Sequence, residues 1–447
     1  MTDNLSGRSK NGGAAVLENP GQSGLLAKAS NRLEGGRQSE KLAKKRKGSY
    51  FSYFLMFNFY YLAWALFSAL ISVYLIGLGF SAGQASLVVS VSFFASMVTQ
   101  PMVGSLADQY GSKSVSIVMF ITAASGGVVF LFCRSLWMVT IFYSVVMVLV
   151  NGTNPVVEKM ATTSPYPYGK IRIWGTIGYA FGTQAAGFLY DVVSPSSIFV
   201  AFVLCMMICI LGTSQTIEPT TFQNSAQTKA DMQEVAEVQE EIQAEETKNT
   251  KGFAKLFTNR KFAYYLLVYG LFMGVLAAGN TFVPSLFTHN GLPAATASTF
   301  LSIAVLCEMP LVFFSSKFMD QLTSKVLLLF AIILVLGQML VYGLNLPMPV
   351  VVGVTMLTKN VSSMLMIMVN LKIVSSLIPS ASQISALALA ATIKNLASIL
   401  FNNFAGVLID NIGYSPAFLL MAGAMILVLV LVVFFRLPSG TDQKLFS

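Results

Sequence analysis

The 447 residues include a single histidine, His289, and only four cysteines, Cys133, Cys205, Cys209 and Cys307. All four cysteines sit within or beside apolar runs, at spacings that suit neither a disulfide framework nor a metal knuckle, so they read as small core hydrophobes. One histidine excludes His-rich metal sites and most imidazole acid–base schemes. The sequence has no phosphate loop, nucleophile elbow or zinc signature, and no cofactor is expected. Charge is scarce as well: 11% of side chains are Asp, Glu, Lys or Arg, against about 25% in soluble proteins. With 55% hydrophobic residues, this is an integral membrane protein whose first partner is the lipid bilayer and for which no nucleic acid is expected. The glycosylation-type tripeptides at Asn151 and Asn360 lie inside apolar runs, where no transferase reaches, and are read as chance.

Twelve apolar segments follow one another, roughly 50–78, 84–105, 114–133, 136–160, 170–190, 196–214, 262–286, 294–317, 325–345, 348–372, 383–405 and 413–436. Each is long enough to cross about 30 Å of hydrocarbon as a helix, and none shows the ten-residue alternation of a barrel strand. The expected fold class is an all-α membrane protein, with twelve transmembrane helices in two six-helix bundles, 50–214 and 262–436. A polar central loop, 215–261, joins them. A basic tail, 1–49, without the apolar core of a secretory signal precedes them, and a short tail, 437–447, follows. Within the central loop Met232, Val235, Val238 and Ile242 recur at helical spacing on an acidic background, which fits either a short surface helix or a solvated linker.

Lys and Arg collect on the side of the amino terminus, ten of them in the tail alone, while Arg134 stands by itself in the opposite loops. The positive-inside rule then puts both termini in the cytoplasm and the protein in the plasma membrane.

The loop after span two reads GSLADQYGSK, a G-x-x-x-D-x-x-G-x-K pattern formed by Gly104, Asp108, Gly111 and Lys113. Glycine suits close backbone approach in a tight turn, a carboxylate can cap a helix start, and the lysine holds the basic side. The loop after span eight, SSKFMDQLTSK, sets Asp320 and Lys325 over Asp108 and Lys113, each 212 residues further on, which indicates an internal duplication.

Twelve spans, a long central loop and this motif resemble the major facilitator superfamily over residues 50 to 437. Within it, PVVEKMA followed by GKIRIWGTIGYAFG is similar to the oligosaccharide:proton symporter branch, the lactose permease-like group. There a glutamate ends span four, an arginine opens span five, and an aromatic follows on the same face. The resemblance implies that Glu158 and Arg172 bind sugar hydroxyls and that Tyr179 stacks on the sugar.

Placing all 19 acidic residues leaves two, Glu158 and Glu308, inside spans, with Lys159 and Arg172 at span ends and Lys359 and Lys394 near the middle of spans ten and eleven. Ionisable groups at such depth generally face a cavity or a partner. Arg172, Thr176, Tyr179 and Thr183 form a polar stripe that lipid would not tolerate, with Gly175, Gly178 and Gly182 beside it for close packing. Glu308 has no polar neighbour one helical turn away. A carboxyl alone in an apolar span favours its neutral form and one beside a lysine its charged form, and a group poised between the two can carry a coupling proton. The resemblance likewise matches Glu308 to a glutamate of substrate binding and coupling. A structural ion pair is the alternative reading of both Glu308 and the Glu158–Arg172 pair. Lys359 shares a stripe with Thr355 and Ser363, and Lys394 with Ser398 and Asn402. In span one Tyr61, Ser68 and Ser72 share a face, either as interfacial anchors or as cavity lining.

The chain departs from that branch where Ser362 replaces its proton-carrying carboxylate, in having no acid in span seven, and in lacking an arginine in span nine. Transport is therefore more directly supported than proton coupling. The expected function is a secondary active transporter, a proton-coupled symporter of a sugar or oligosaccharide working by alternating access, with Lys359 and Lys394 at the substrate beside Glu158, Arg172 and Tyr179. Alternatives are a nucleoside or organic-anion carrier, which the excess of buried lysine suits, and a non-transporting receptor or scaffold. A small solute, protons and lipid are the expected partners, and the chain is expected to act as a monomer.

Overall fold

The computed structural model describes residues 48–217, 259–313, 321–378 and 383–434. The short helix considered within 215–261, and Asp320 of the second loop motif, lie outside the described residues. Among them are fourteen helical segments and no strand: α1 (Tyr50–Ser68), α2 (Ile71–Gly77), α3 (Ala82–Tyr110), α4 (Ser112–Phe130), α5 (Leu136–Thr162), α6 (Tyr168–Val192), α7 (Ser197–Gln215), α8 (Arg260–His289), α9 (Ala294–Leu306), α10 (Glu308–Phe313), α11 (Ser324–Gly343), α12 (Met348–Leu377), α13 (Gln383–Ile412) and α14 (Tyr414–Phe434). Small polar residues start many of them. Ser49, Ser135, Asn259 and Thr323 each accept a backbone N–H of the first turn, and Ser81 with Gln84 forms a reciprocal capping box.

Among the described residues eleven helical stretches are long and apolar enough to cross a membrane, α1–α2 and α9–α10 each counting as one. The helix left out of that set is α6. Its 25 residues suffice in length, but Lys170, Arg172, Thr176, Gln184 and five glycines lower its hydropathy.

Apolar side chains condense into two large cores, one built from α1–α7 and the other from α8–α14. Each takes one residue from the other half, Ala294 joining the first and Ala82 the second. At the centre of the first core Phe67 packs against Phe130, Tyr143, Phe199 and Phe202 with ring centroids 4.7–5.4 Å apart. Large apolar side chains such as Phe132, Trp137, Phe188 and Phe434 face outward, the reverse of a water-soluble surface.

The duplication suggested by the loop motifs is written into the contacts between the halves. Ser90 of α3 donates to the Ile399 carbonyl of α13 at 3.3 Å, and Ser302 of α9 donates to the Ala180 carbonyl of α6 at 2.7 Å. Ser90 and Ser302 stand 212 residues apart, the spacing of the two loop motifs. At the end of the molecule opposite Tyr50, Asp410 of α13 accepts the N–H groups of Ala82 and Gly83 at the start of α3, both at 2.8 Å. Asp191 of α6 accepts the N–H of Ala295 at the start of α9 at 2.6 Å. Each carboxylate lies four residues after a glycine, Gly406 and Gly187, at which a Cβ would collide with a serine of the other half, Ser86 and Ser298. Two related latches, each a carboxylate on a helix start, therefore join the halves at that far end.

At the near end Asp108 does not cap a helix; it pairs with Lys159 at 2.7 Å, both side chains more than half exposed. This settles Lys159 at the surface. Lys113 donates to the Thr216 carbonyl at the end of α7, and Lys325 donates to the Val433 carbonyl at the end of α14, the same contact in both halves. Gly111 has φ +90°, a conformation that favours glycine. Gly104 departs from expectation, because a Cβ there would meet open space and no close approach requires its glycine.

Replacing both Asp191 and Asp410 by alanine is expected to cost about 1 kcal/mol per latch. It should raise the alkylation rate of a cysteine placed at buried Ala294, read by mass spectrometry; an unchanged rate would mean the latches do not hold the far end closed.

Candidate functional site

Glu158 lies in the last turns of α5 and Arg172 in the second turn of α6, joined by the short connection 163–167. The Arg172 Nε stands 3.6 Å from Glu158 Oε1, with side-chain exposures of 35% and 25%. Both carboxylate oxygens are already engaged by phenols: Tyr61 donates to Oε1 at 2.6 Å and Tyr168 to Oε2 at 2.7 Å. Asn154 in turn donates to the Tyr61 oxygen at 3.1 Å. The guanidinium carbon lies 5.2 Å from the Tyr61 ring centroid, so Arg172 rests on an aromatic face rather than forking onto the carboxylate. Such a partly exposed contact adds little stability and leaves the planar donor available.

α6 reaches this position because glycine lets it press against α1. A Cβ at Gly178 or Gly182 would strike the Asn58 or Leu62 carbonyl oxygen of α1. One turn beyond Arg172, Thr176 Oγ1 lies 3.5 Å from Glu308 Oε1, and Asn360 Nδ2 lies 3.4 Å from Glu308 Oε2. Glu308 opens α10 directly after the helix break at Cys307. Its hydrogen-bond partners are neutral, one from each half; Lys359 and Lys394 make no ion pair with it.

Further along the stripe the two halves enclose a cavity of about 380 Å³. Tyr179 and Thr183 complete the sequence of polar residues along α6 and line it, with Trp64 and Asn151 from the first half and Asn280, Lys359 and Lys394 from the second. The structure thus gathers Tyr179, Lys359 and Lys394 at one cavity. Glu158 and Arg172 form a separate layer nearer the terminal end, and Glu308 lies between, linked to the cavity wall through Asn360. The face of span one is interior: Tyr61 holds Glu158, Ser68 lines the cavity, and Ser72 donates to the Thr281 carbonyl of α8 at 2.6 Å.

Sequence reasoning passed over Asn151 and Asn360 as chance glycosylation triplets, yet both line the cavity, and Asn151 donates to Ser96 at 3.2 Å. Asn280, also in the wall, was passed over too. The available signal was the same for all three, an amide inside an apolar span, where lipid offers it no partner. Tyr168 had no such signal, since an aromatic at a helix start is an ordinary interfacial anchor.

A cysteine introduced at Ser363, in the cavity wall, is expected to react with a membrane-impermeant thiol reagent added on the side of the chain termini and to be protected from the other side. Equal reaction from both sides would contradict a cavity shut by the latches.

A profile described as the MFS_1 like family matches residues 50–418. The maltose permease of Geobacillus stearothermophilus is 29% identical over 159 residues, 33% of this chain and 40% of the permease, so the match spans less than half of that relative. Among solved structures, a mutant of the nucleoside transporter NupG superposes with a TM-score of 0.73 at 16% identity, covering 87% of this chain and 99% of that one. A mutant of the peptide transporter POT gives 0.65 at 13% identity, covering 86% and 93%. At these identities the likeness speaks for the fold.

Proposed function

The chain belongs to the MFS_1 like family of membrane transporters, and from that premise we propose that it is a secondary active transporter that symports a small polyhydroxy solute with protons. The solute occupies the cavity between the halves, and access alternates as the halves rock about it. The observation that carries this reading is the position of Glu308, a carboxyl between the halves beside the cavity, held by Thr176 on one side and by Asn360, a cavity residue, on the other.

A carboxyl in this setting links three events. Proton loading removes its charge and turns one oxygen from acceptor to donor, which changes its bonds to both halves at once. Solute bound against Asn360 alters the same hydrogen bond from the cavity side. The Asn360 Oδ1 is buried and has no partner among the described residues, so a solute hydroxyl has an acceptor waiting. Trp64 and Tyr179 supply flat apolar faces of the kind that stack on a sugar ring, and amides and hydroxyls beside them suit its edges. The similarity to a maltose permease over part of the chain supports a sugar further.

Arg172 and Glu158 lie outside the cavity lining, one layer toward the termini. We assign them to the entry of the solute from that side, with the guanidinium fork free to engage hydroxyls as the halves close.

Uptake into proteoliposomes tests the assignment. Glu308→Gln is expected to abolish accumulation driven by a pH gradient while retaining solute exchange; uphill uptake by this variant would remove Glu308 from coupling. Arg172→Lys is expected to weaken apparent affinity about tenfold, ~1.4 kcal/mol, because a point charge does not reproduce the fork. An unchanged affinity would remove Arg172 from the solute path, and absence of flux for any solute would favour a receptor or scaffold.

A further inference from the structure

Five carboxylates occur among the described residues, and each is committed elsewhere. Asp108 pairs with Lys159, and Glu158 is held by two phenols beside Arg172. Asp191 and Asp410 sit on helix starts, and Glu308 is hydrogen-bonded by Thr176 and Asn360. Lys359 and Lys394 are the charged residues lining the cavity, and among the described residues none in its wall is acidic. Neither ammonium makes an ion pair or donates a hydrogen bond to any described residue.

Two lysines that make no ion pair with a described residue, on adjacent helices deep in an apolar bundle, are a costly arrangement to keep charged; Glu308 acts on Lys359 only from beyond ion-pair distance. Nothing in the wall offsets it. α12 brings Lys359 with Ser363, and α13 brings Lys394 with Ser398, which donates to the Lys394 carbonyl at 2.8 Å and leaves the ammonium untouched. α8 contributes the neutral Asn280, and the wall opposite presents Asn151, Tyr179 and Trp64. The cavity is therefore polarised, cationic on the side of the second half and neutral, aromatic and amide-lined on the side of the first.

We infer that the solute carries its own negative charge: a polyhydroxy compound with one carboxylate or phosphate ester, its anionic group against Lys359 and Lys394 and its body against Trp64 and Tyr179. This rests on the transport reading above and names the substrate class of the same cavity. A volume of about 380 Å³ corresponds to roughly a dozen waters at about 30 Å³ each, enough for a sugar acid or sugar phosphate. The anion supplies, at ion-pair distance, the counter-charge that the cavity wall lacks, and a neutral solute does not. Glu308, outside the wall, remains free for the proton.

Exchange in proteoliposomes of the full chain tests this with matched probes: glucose, glucuronate and glucose 6-phosphate, then maltose and maltobionate. The acidic member of at least one set is expected to exchange with an apparent affinity at least tenfold better than its neutral counterpart. Lys359→Gln and Lys394→Gln, each checked for folding by thermal unfolding, are expected to erase that preference, lowering affinity for the acid tenfold or more. Carboxylate and phosphate probes in the first set separate the two anion chemistries. Neutral sugars exchanging as well as or better than their acids in wild-type protein would overturn the charge assignment and leave sugar transport standing. The comparison within wild type decides this even if a lysine variant fails to fold. Exchange of no probe by folded protein would overturn the sugar reading and this inference together, whereas a preference for acids that survives both lysine substitutions would overturn the assignment to these residues.

Discussion

Each carboxylate among the described residues is met by donors, and those donors come from another helix. Asp108 joins α3 to α5, and Glu158 joins α5 to α1 and α6. Asp191, Glu308 and Asp410 each bridge the two halves. Lipid tails are as apolar as leucine, so helix pairing rests on close approach at small residues such as Gly178, Gly182, Gly187 and Gly406 together with these few polar contacts. The latches at the far end and the Glu308 contact nearer the centre are the points where the halves are joined by charge.

The two halves are copies in backbone contact but not in chemistry. Ser90 and Ser302 make equivalent bonds, as do Asp410 and Asp191, and Lys113 and Lys325. The symmetry is broken at the centre. The residue 212 positions before Glu308 is Ser96, which accepts a hydrogen bond from Asn151 where Glu308 accepts one from Asn360. One copy kept a neutral hydroxyl and the other holds a titratable acid. The cavity's lysines are on the second half as well, so the ionisable part of the cavity wall lies there while the first half supplies aromatic and amide surface. Such a division lets one half sense charge while the other grips the body of a solute.

Much of this was legible residue by residue. Long apolar runs predicted helices because no other single-chain element of that length satisfies its own backbone in lipid, and the α6 stripe from Arg172 to Thr183 turned inward as its polarity required. The loop motif disclosed the duplication. Gly104 misled because glycine carries no record of whether its space is used, and Asp108 because a carboxylate beside a turn serves a lysine as readily as a helix start. Asn151 and Asn360 were set aside because a short motif match was weighed more heavily than the cost of burying an amide.

The amino-acid sequence by itself determined that the chain lives in a membrane, that it repeats, and which handful of ionisable side chains fall within or beside apolar spans, since hydropathy and burial cost are properties of each residue and its neighbours along the helix. Tertiary structure decided the partnerships. Whether Glu308 would meet a lysine or an amide, and whether Arg172 would fork onto Glu158 or rest on Tyr61, depended on distances of a few ångströms between helices far apart in the chain. Helical periodicity specifies which face a residue occupies; which face it meets is set only when the bundles pack.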